Sequence, residues 1–230
     1  MVAAPPKGPL QQGTPPQPIA QPPRGELSSV LLQGISWETY QSLVQELESQ
    51  PNKRLSYDNG LLEIFMPLPP HESYKRWTGR FVETLTEELD IEIRSLSAST
   101  WSRKDLAKGL EADECYYIQN ESTIRGKMAI DLTLDPPPDL AIEIDITNPA
   151  LPRLPIYRAL GIPEVWRFDG TKMHILVLIN GKYEEAVASI ALPIVTPEIL
   201  QTWLTQATTM GETTWAKALR RWIRETIVIG

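Results

Sequence analysis

The chain has 230 residues, 42% of them apolar and 22% charged, with a net charge of −7 at neutral pH. That composition supports one domain of moderate size with a real core plus extensions, and no apolar run approaches the ~18 residues of a membrane helix. The acid excess (pI about 5.0) argues against nucleic-acid binding through bulk charge, although a bound cation or a local basic surface can offset the global sign. One cysteine, Cys115, and two histidines exclude a disulfide framework and argue against a Cys/His zinc site. With no apolar signal core at the start, the expected location is cytoplasmic.

Residues 1–26 are rich in Pro, Gln and Gly and lack apolar periodicity, which predicts a disordered or polyproline-like tail. Residues 27–230 are expected to form a single domain, with a helical extension from about residue 196. Ser36 can cap a helix in which Trp37, Tyr40, Leu43, Val44 and Leu47 share a face. Asn59-Gly60, between two apolar-alternating runs, predicts a hairpin. A second helix follows, with Tyr74, Trp77, Phe81, Leu85 and Leu89 on one side. Three strands are expected next, in IEIRSLSAST, DECYYI and LAIEIDIT, the last opened by Pro136, Pro137 and Pro138. LPRLPIYRALGI predicts a short helix stopped by Gly161 and Pro163. PEVWRFD and KMHILVLIN pair across Asp169-Gly170, and KYEEAVA extends the meander past Asn180-Gly181. Two helices anchored by Trp203, Trp215 and Trp222 close the chain. The order predicts a mixed α/β domain with a central sheet.

The run DLAIEIDIT poses the chemical question. Leu140, Ile142, Ile144 and Ile146 alternate with Asp139, Ala141, Glu143, Asp145 and Thr147, so one face is aliphatic and the other is a ladder of acids. Either that face is open to water, or the acids hold a partner, because unpaired carboxylates are costly in a core. Asp113, opening the run before CYYI, could join Glu143 and Asp145 from a neighbouring strand around one hard cation.

The runs GLEADECYYIQN, PPPDLAIEIDIT and PRLPIYRALGIPEVWRFDG, with RLSYDNGLLEIFMPLPPHESYK before them, resemble the Uma-type restriction endonuclease family of the PD-(D/E)XK nuclease superfamily. The resemblance spans about residues 35–185. It implies a restriction-endonuclease-like mixed sheet flanked by helices, DNA as partner and substrate, and Mg²⁺ or Mn²⁺ as cofactor. It makes Asp113 and Glu143 the acid pair, with Asp145 at the usual lysine position as a third metal ligand. It places the displaced lysine at Arg153, which would stabilise the scissile phosphate. A homodimer and the cutting of both strands stay open.

Arginine for lysine is the chief departure, since a guanidinium stays charged and cannot serve as a base. The alternative is therefore a catalytically impaired nuclease-fold binding module, and a third reading leaves the acids as a solvated face. His71-Glu72 reads as favourable charge at a helix start, with an outer role for Glu72 as its rival. His174 reads as surface or core, Cys115 as a small buried hydrophobe, and Tyr157 and Trp166 as packing. RKDLAK and the cluster Arg220, Arg221 and Arg224 could touch phosphate or simply be solvated.

Overall fold

The computed structural model describes residues 29–49, 53–146 and 149–228. The expected tail at 1–26 and Thr147 of the acid strand lie outside the described residues. No helix among those described is long and apolar enough to cross a membrane.

The fold is mixed α+β, with two sheets flanked by helices, as in restriction-endonuclease-like proteins. The chain opens with β1 (Ser29–Leu32) and α1 (Trp37–Leu47), and Ser36 caps α1 by accepting from Thr39 N at 3.1 Å. The hairpin β2 (Arg54–Asp58) and β3 (Leu61–Phe65) turns at Asn59 and Gly60. Their φ values of +46° and +88° are the pair of left-handed residues that such a two-residue turn requires. α2 (Pro69–Glu88) follows, then β4 (Arg94–Ser95), β5 (Thr100–Arg103), β6 (Lys108–Glu111) and β7 (Glu114–Tyr117). After the one-turn α3 (Glu121–Ile124) come β8 (Leu140–Ile144), α4 (Leu154–Leu160), β9 (Glu164–Phe168), β10 (Met173–Ile179) and β11 (Lys182–Glu185). α5 (Pro197–Ala207) and α6 (Glu212–Ile223) end the domain and run into a short π-helical turn.

The first sheet has the order β1-β3-β2-β6-β5 and the second β11-β10-β9-β8-β7-β4. Among the described residues every strand pairing is antiparallel except that of β8 with β9. The two sheets share one stretch of chain, because β6 ends at Glu111 and β7 starts at Glu114, leaving Asp113 at the crossing. Ile142 and Ile144 of β8 pack with Phe81, Leu85, Trp166 and Phe168 toward α2, α5 and α6. Ala141 faces the other way, into a cluster with Ile156, Tyr157 and Leu160 of α4 and with Trp101 and Leu110 of the first sheet. Both faces of β8 are therefore covered, and the reading of its acids as a solvated face is overturned.

The sequence reading misses β1, the hairpin β5–β6 and α3, and it leaves the C-terminal arginines without partners. β1 is four residues long and mostly exposed, so it carries no alternation. RKDLAK, expected as a basic stretch, is instead the link of the hairpin β5–β6, a 3₁₀ turn at Lys104–Leu106 with Ala107 at φ +48°. α3 is a single turn, below the length at which periodicity can be detected. Arg220 of α6 and Arg224 at its C-cap are structural clamps. Arg220 pairs with Glu87 and Glu88 at 2.7 and 2.9 Å, and Arg224 with Glu88 at 2.5 Å, joining α6 to α2.

Candidate active site

The register of β7 on β8, with Glu114 opposite Ile142, brings Asp113 to the end of β8 that carries Glu143. Asp113 is 0% and Glu143 4% exposed. Ile144 N donates to Asp113 Oδ2 at 2.8 Å, fixing the carboxylate against the neighbouring strand. Glu143, on the face opposite Ile142 and Ile144, meets two side chains of the α4 start one turn apart. The Arg153 guanidinium lies 2.7 Å from Glu143 Oε2, and the Tyr157 hydroxyl donates to Oε1. Arg153 also donates to the carbonyl of Glu111 at the end of β6, so one side chain joins both sheets and α4.

His71, in the first turn of α2, completes the cluster. Its Nε2 is 3.1 Å from Asp113 Oδ2 and its Nδ1 is 3.4 Å from Glu72. Neither ring nitrogen has a well-aimed hydrogen bond, so the contact is chiefly electrostatic. Two cations and two acids thus share one buried volume and balance when all four are ionised.

Their electrostatics follow from burial and proximity. Burial pushes the Glu143 carboxyl up to about 8, with Asp113 acting in the same sense and Arg153 opposing. Burial acts on Asp113 likewise, but His71, Arg153 and the Ile144 N–H together hold it below the usual carboxylate range. Burial disfavours the His71 cation, yet Asp113 and Glu72 outweigh it and carry the imidazole up to about 9. Burial and the Glu143 charge push Tyr157 well above its ordinary value, so it remains a neutral donor.

Asp145 sits just past β8 and belongs to a second pair. Arg167, opposite Glu143 in the parallel register of β9, donates from Nε to Asp145 Oδ2 at 3.0 Å and from Nη2 to the same oxygen. A void of about 20 Å³ lies between the sheets, lined by Ser56, Glu63, Phe65, Glu143, Asp145 and Arg153 among others. That is space for about one water-sized occupant. An open cavity of about 380 Å³ adjoins it, lined by Glu143, Asp145, Arg153, Arg167, Leu154 and the rigid Pro149, Pro152 and Pro155.

The implied divalent cation can be tested against these donors. Asp113 Oδ1 and Asp145 Oδ1 are buried and have no hydrogen-bond partner among the described residues, and carboxylate oxygens are what Mg²⁺ and Mn²⁺ take. Glu143 has Arg153 on one oxygen and Tyr157 on the other. No group of three His, Cys, Asp or Glu side chains is gathered for a metal ion among the described residues. The donors fit in kind, with Glu143 committed to Arg153.

A family model described as "Uma2: Putative restriction endonuclease" matches residues 37–208, well over half the chain. The chain belongs to the Uma2 family. No curated protein matches it. The Uma2 match covers every residue of the cluster, from His71 to Arg167.

Of the residues singled out in the sequence, Asp113, Glu143 and Arg153 come together, while Asp145 stands beside them and pairs with Arg167. Asp139 does not join them. It accepts from Ile118 N, Asn120 N and Asn120 Nδ2 at 2.6–2.9 Å and ties down the turn after β7. Asp139→Ala is expected to lose about 2 kcal/mol of stability by urea titration, the scale of hydrogen bonds to a charged group, with the Asp113–Glu143 cluster unaffected. Lys104, Lys108 and Lys127 pair with Glu38, Asp58 and Asp135, so none of them takes the place of Arg153. His174 lies between Asp169 and Glu185 on β10, at 3.1 and 2.8 Å. Cys115 is buried and accepts from the Trp101 indole at 3.3 Å, as a small core residue.

Sequence reasoning missed His71, Tyr157, Arg167 and Glu63. The His-Glu pair at the start of α2 was the available signal for His71, and a tyrosine four residues after Arg153 was the signal for Tyr157. Glu63 interrupts an aliphatic strand and accepts from Ala150 N and Leu151 N at 2.8 and 3.2 Å, anchoring the segment that leads to Arg153.

Proposed function

We propose that this Uma2 protein is a Mg²⁺- or Mn²⁺-dependent endonuclease that hydrolyses DNA phosphodiester bonds. The reading rests chiefly on one observation. Two buried acids, Asp113 just before β7 and Glu143 on the neighbouring β8, converge with the guanidinium of Arg153.

Asp113, Glu143 and Asp145 would hold the cation, which when bound supplies activation of the attacking water and stabilisation of charge on the phosphate. The chain's own residues position and compensate. His71 and Ile144 N fix Asp113 Oδ2 and leave Oδ1 as a donor. Arg153 would stabilise a phosphate as it gains charge, and it remains a cation throughout. The guanidinium also neutralises Glu143, so Glu143 would serve as a ligand only with that contact released. The Tyr157 hydroxyl orients the carboxylate through Oε1.

The test is nicking of supercoiled plasmid by purified protein in Mg²⁺, Mn²⁺ or EDTA, with Asp113→Ala, Glu143→Ala and Arg153→Lys in parallel. Cutting is expected in the metals and not in EDTA, and both alanine variants are expected to fall to background. Equal cutting by wild type and both alanine variants would exclude these acids. Cutting that emerges only in Arg153→Lys would identify the natural chain as a disabled nuclease.

A further inference from the structure

Arg167 has no role in the acid pair, yet its placement is unusual. Its neighbours Trp166 and Phe168 point into the core beneath α2, and Arg167 lies on the opposite face of β9. Its side chain is 36% exposed, whereas that of Arg153 is 11% exposed and already engaged with Glu143 and Glu111. Arg167 is thus the accessible guanidinium of the roughly 380 Å³ cavity that also reaches Glu143.

The pairing with Asp145 leaves capacity unused. A guanidinium and a carboxylate can satisfy each other through two parallel bonds. Here Nε and Nη2 both go to Oδ2. Among the described residues Arg167 bonds through Nε and Nη2 and not through Nη1, and the buried Asp145 Oδ1 is also unpartnered there. Asp145 therefore holds the guanidinium by one edge and leaves the other edge free. A planar, permanently charged fork of this kind matches a phosphate. In a chain of net charge −7, capture of a polyanion depends on such local cations.

We propose that Arg167 is a substrate-binding residue that takes a backbone phosphate of the nucleic-acid strand beside the one being cut, with Asp145 as its positioning partner. This assignment rests on the nuclease reading of the same cavity.

The experiment is binding of a fluorescein-labelled 20-base-pair duplex, followed by anisotropy in EDTA across a salt series. The informative variant is Asp145→Asn with Arg167→Gln, which keeps net charge and leaves an amide pair in place. Affinity is expected to fall about tenfold, the scale of one charge-assisted hydrogen bond. The slope of log K against log salt is expected to shrink by about 0.9, the value of one duplex phosphate. Arg167→Lys should keep the slope, because the charge is retained. Phenylglyoxal modification of the wild type, read by mass spectrometry, needs no variant, and bound duplex should protect Arg167.

Unchanged affinity and slope in the double variant, unchanged modification of Arg167, or no duplex binding by wild type would each overturn the assignment. The outcome separates from that of the nuclease reading. Metal-dependent nicking with unaltered Arg167 behaviour removes only the phosphate contact. Loss of slope without any nicking by wild type removes only the nuclease.

Discussion

Arg153→Ala is expected to lower unfolding stability by about 3–5 kcal/mol, the range for removing one member of a buried ion pair. Urea titration at pH 8.5, above the folded-state value of Glu143, measures it, as a lower midpoint with an unchanged slope. The cause is local. Glu143 keeps its burial and loses its countercharge, and the Glu111 carbonyl loses its donor. The effect also has a pH signature. The folded-state pKa of Glu143 is already raised from 4.5 to about 8, and loss of Arg153 removes the influence opposing that rise. A group raised on folding contributes stability that is present below its unfolded value and is lost as pH climbs through the folded one. The deficit of the variant should therefore be smallest near pH 7, where Glu143 is protonated in both folded proteins, and widen as pH climbs from 7 toward 9.5, where wild type ionises Glu143 against Arg153 and the variant resists. A deficit that stays constant over that range would mean that Arg153 acts through packing alone. Replacing both partners, Arg153→Met with Glu143→Leu, should recover most of the loss, since an apolar pair of similar volume carries no desolvation penalty.

His71→Ala is expected to produce a loss on the same scale, because Asp113 is fully buried and His71 is the cation against it. The sign with pH is again fixed by direction. The folded pKa of His71 is raised from 6.5 to about 9, so its contribution is complete below pH 6.5 and disappears as pH rises through 9. Asp113 is lowered, so its contribution is present above 3.8 and is lost on further acidification. Wild-type stability should thus decline between pH 7 and 9.5, and the His71→Ala profile should be flatter there. A His71 C–H resonance titrating near 6.5 in the folded protein, assigned by its loss in His71→Ala, would sink this account. His174, next to Asp169 and Glu185, supplies the second histidine signal for assignment.

Most of the frame was legible because it obeys local rules. The Asn59-Gly60 hairpin, the Ser36 cap, the stop at Gly161 and the alternation along β8 each involve residues within a few positions of one another. Gly161 takes φ +79°, the conformation expected of a helix-ending glycine. The site was legible only where the resemblance to the family supplied it. Periodicity put Asp139, Glu143 and Asp145 on one face without saying that Asp139 ties down a turn, that Glu143 faces Arg153 or that Asp145 holds Arg167. Those differences depend on which elements pack above each end of β8. His71 and Glu63 stayed hidden for the same reason. Each meets its partner across more than 40 residues of chain, a distance no local pattern encodes.

The parallel pairing of β8 with β9 also bears on how the protein is made. Asp145 N bonds Phe168 O at 2.7 Å, and β8 lies between β7 and β9 at the middle of its sheet. During synthesis β8 emerges well before β9, and until Phe168 has left the ribosome it has an unpaired edge and an uncovered aliphatic flank. Such an edge is a template for pairing with another chain. Products truncated between Ile144 and Phe168 should therefore collect in the insoluble fraction, whereas a nascent chain extended past β10 can close the sheet.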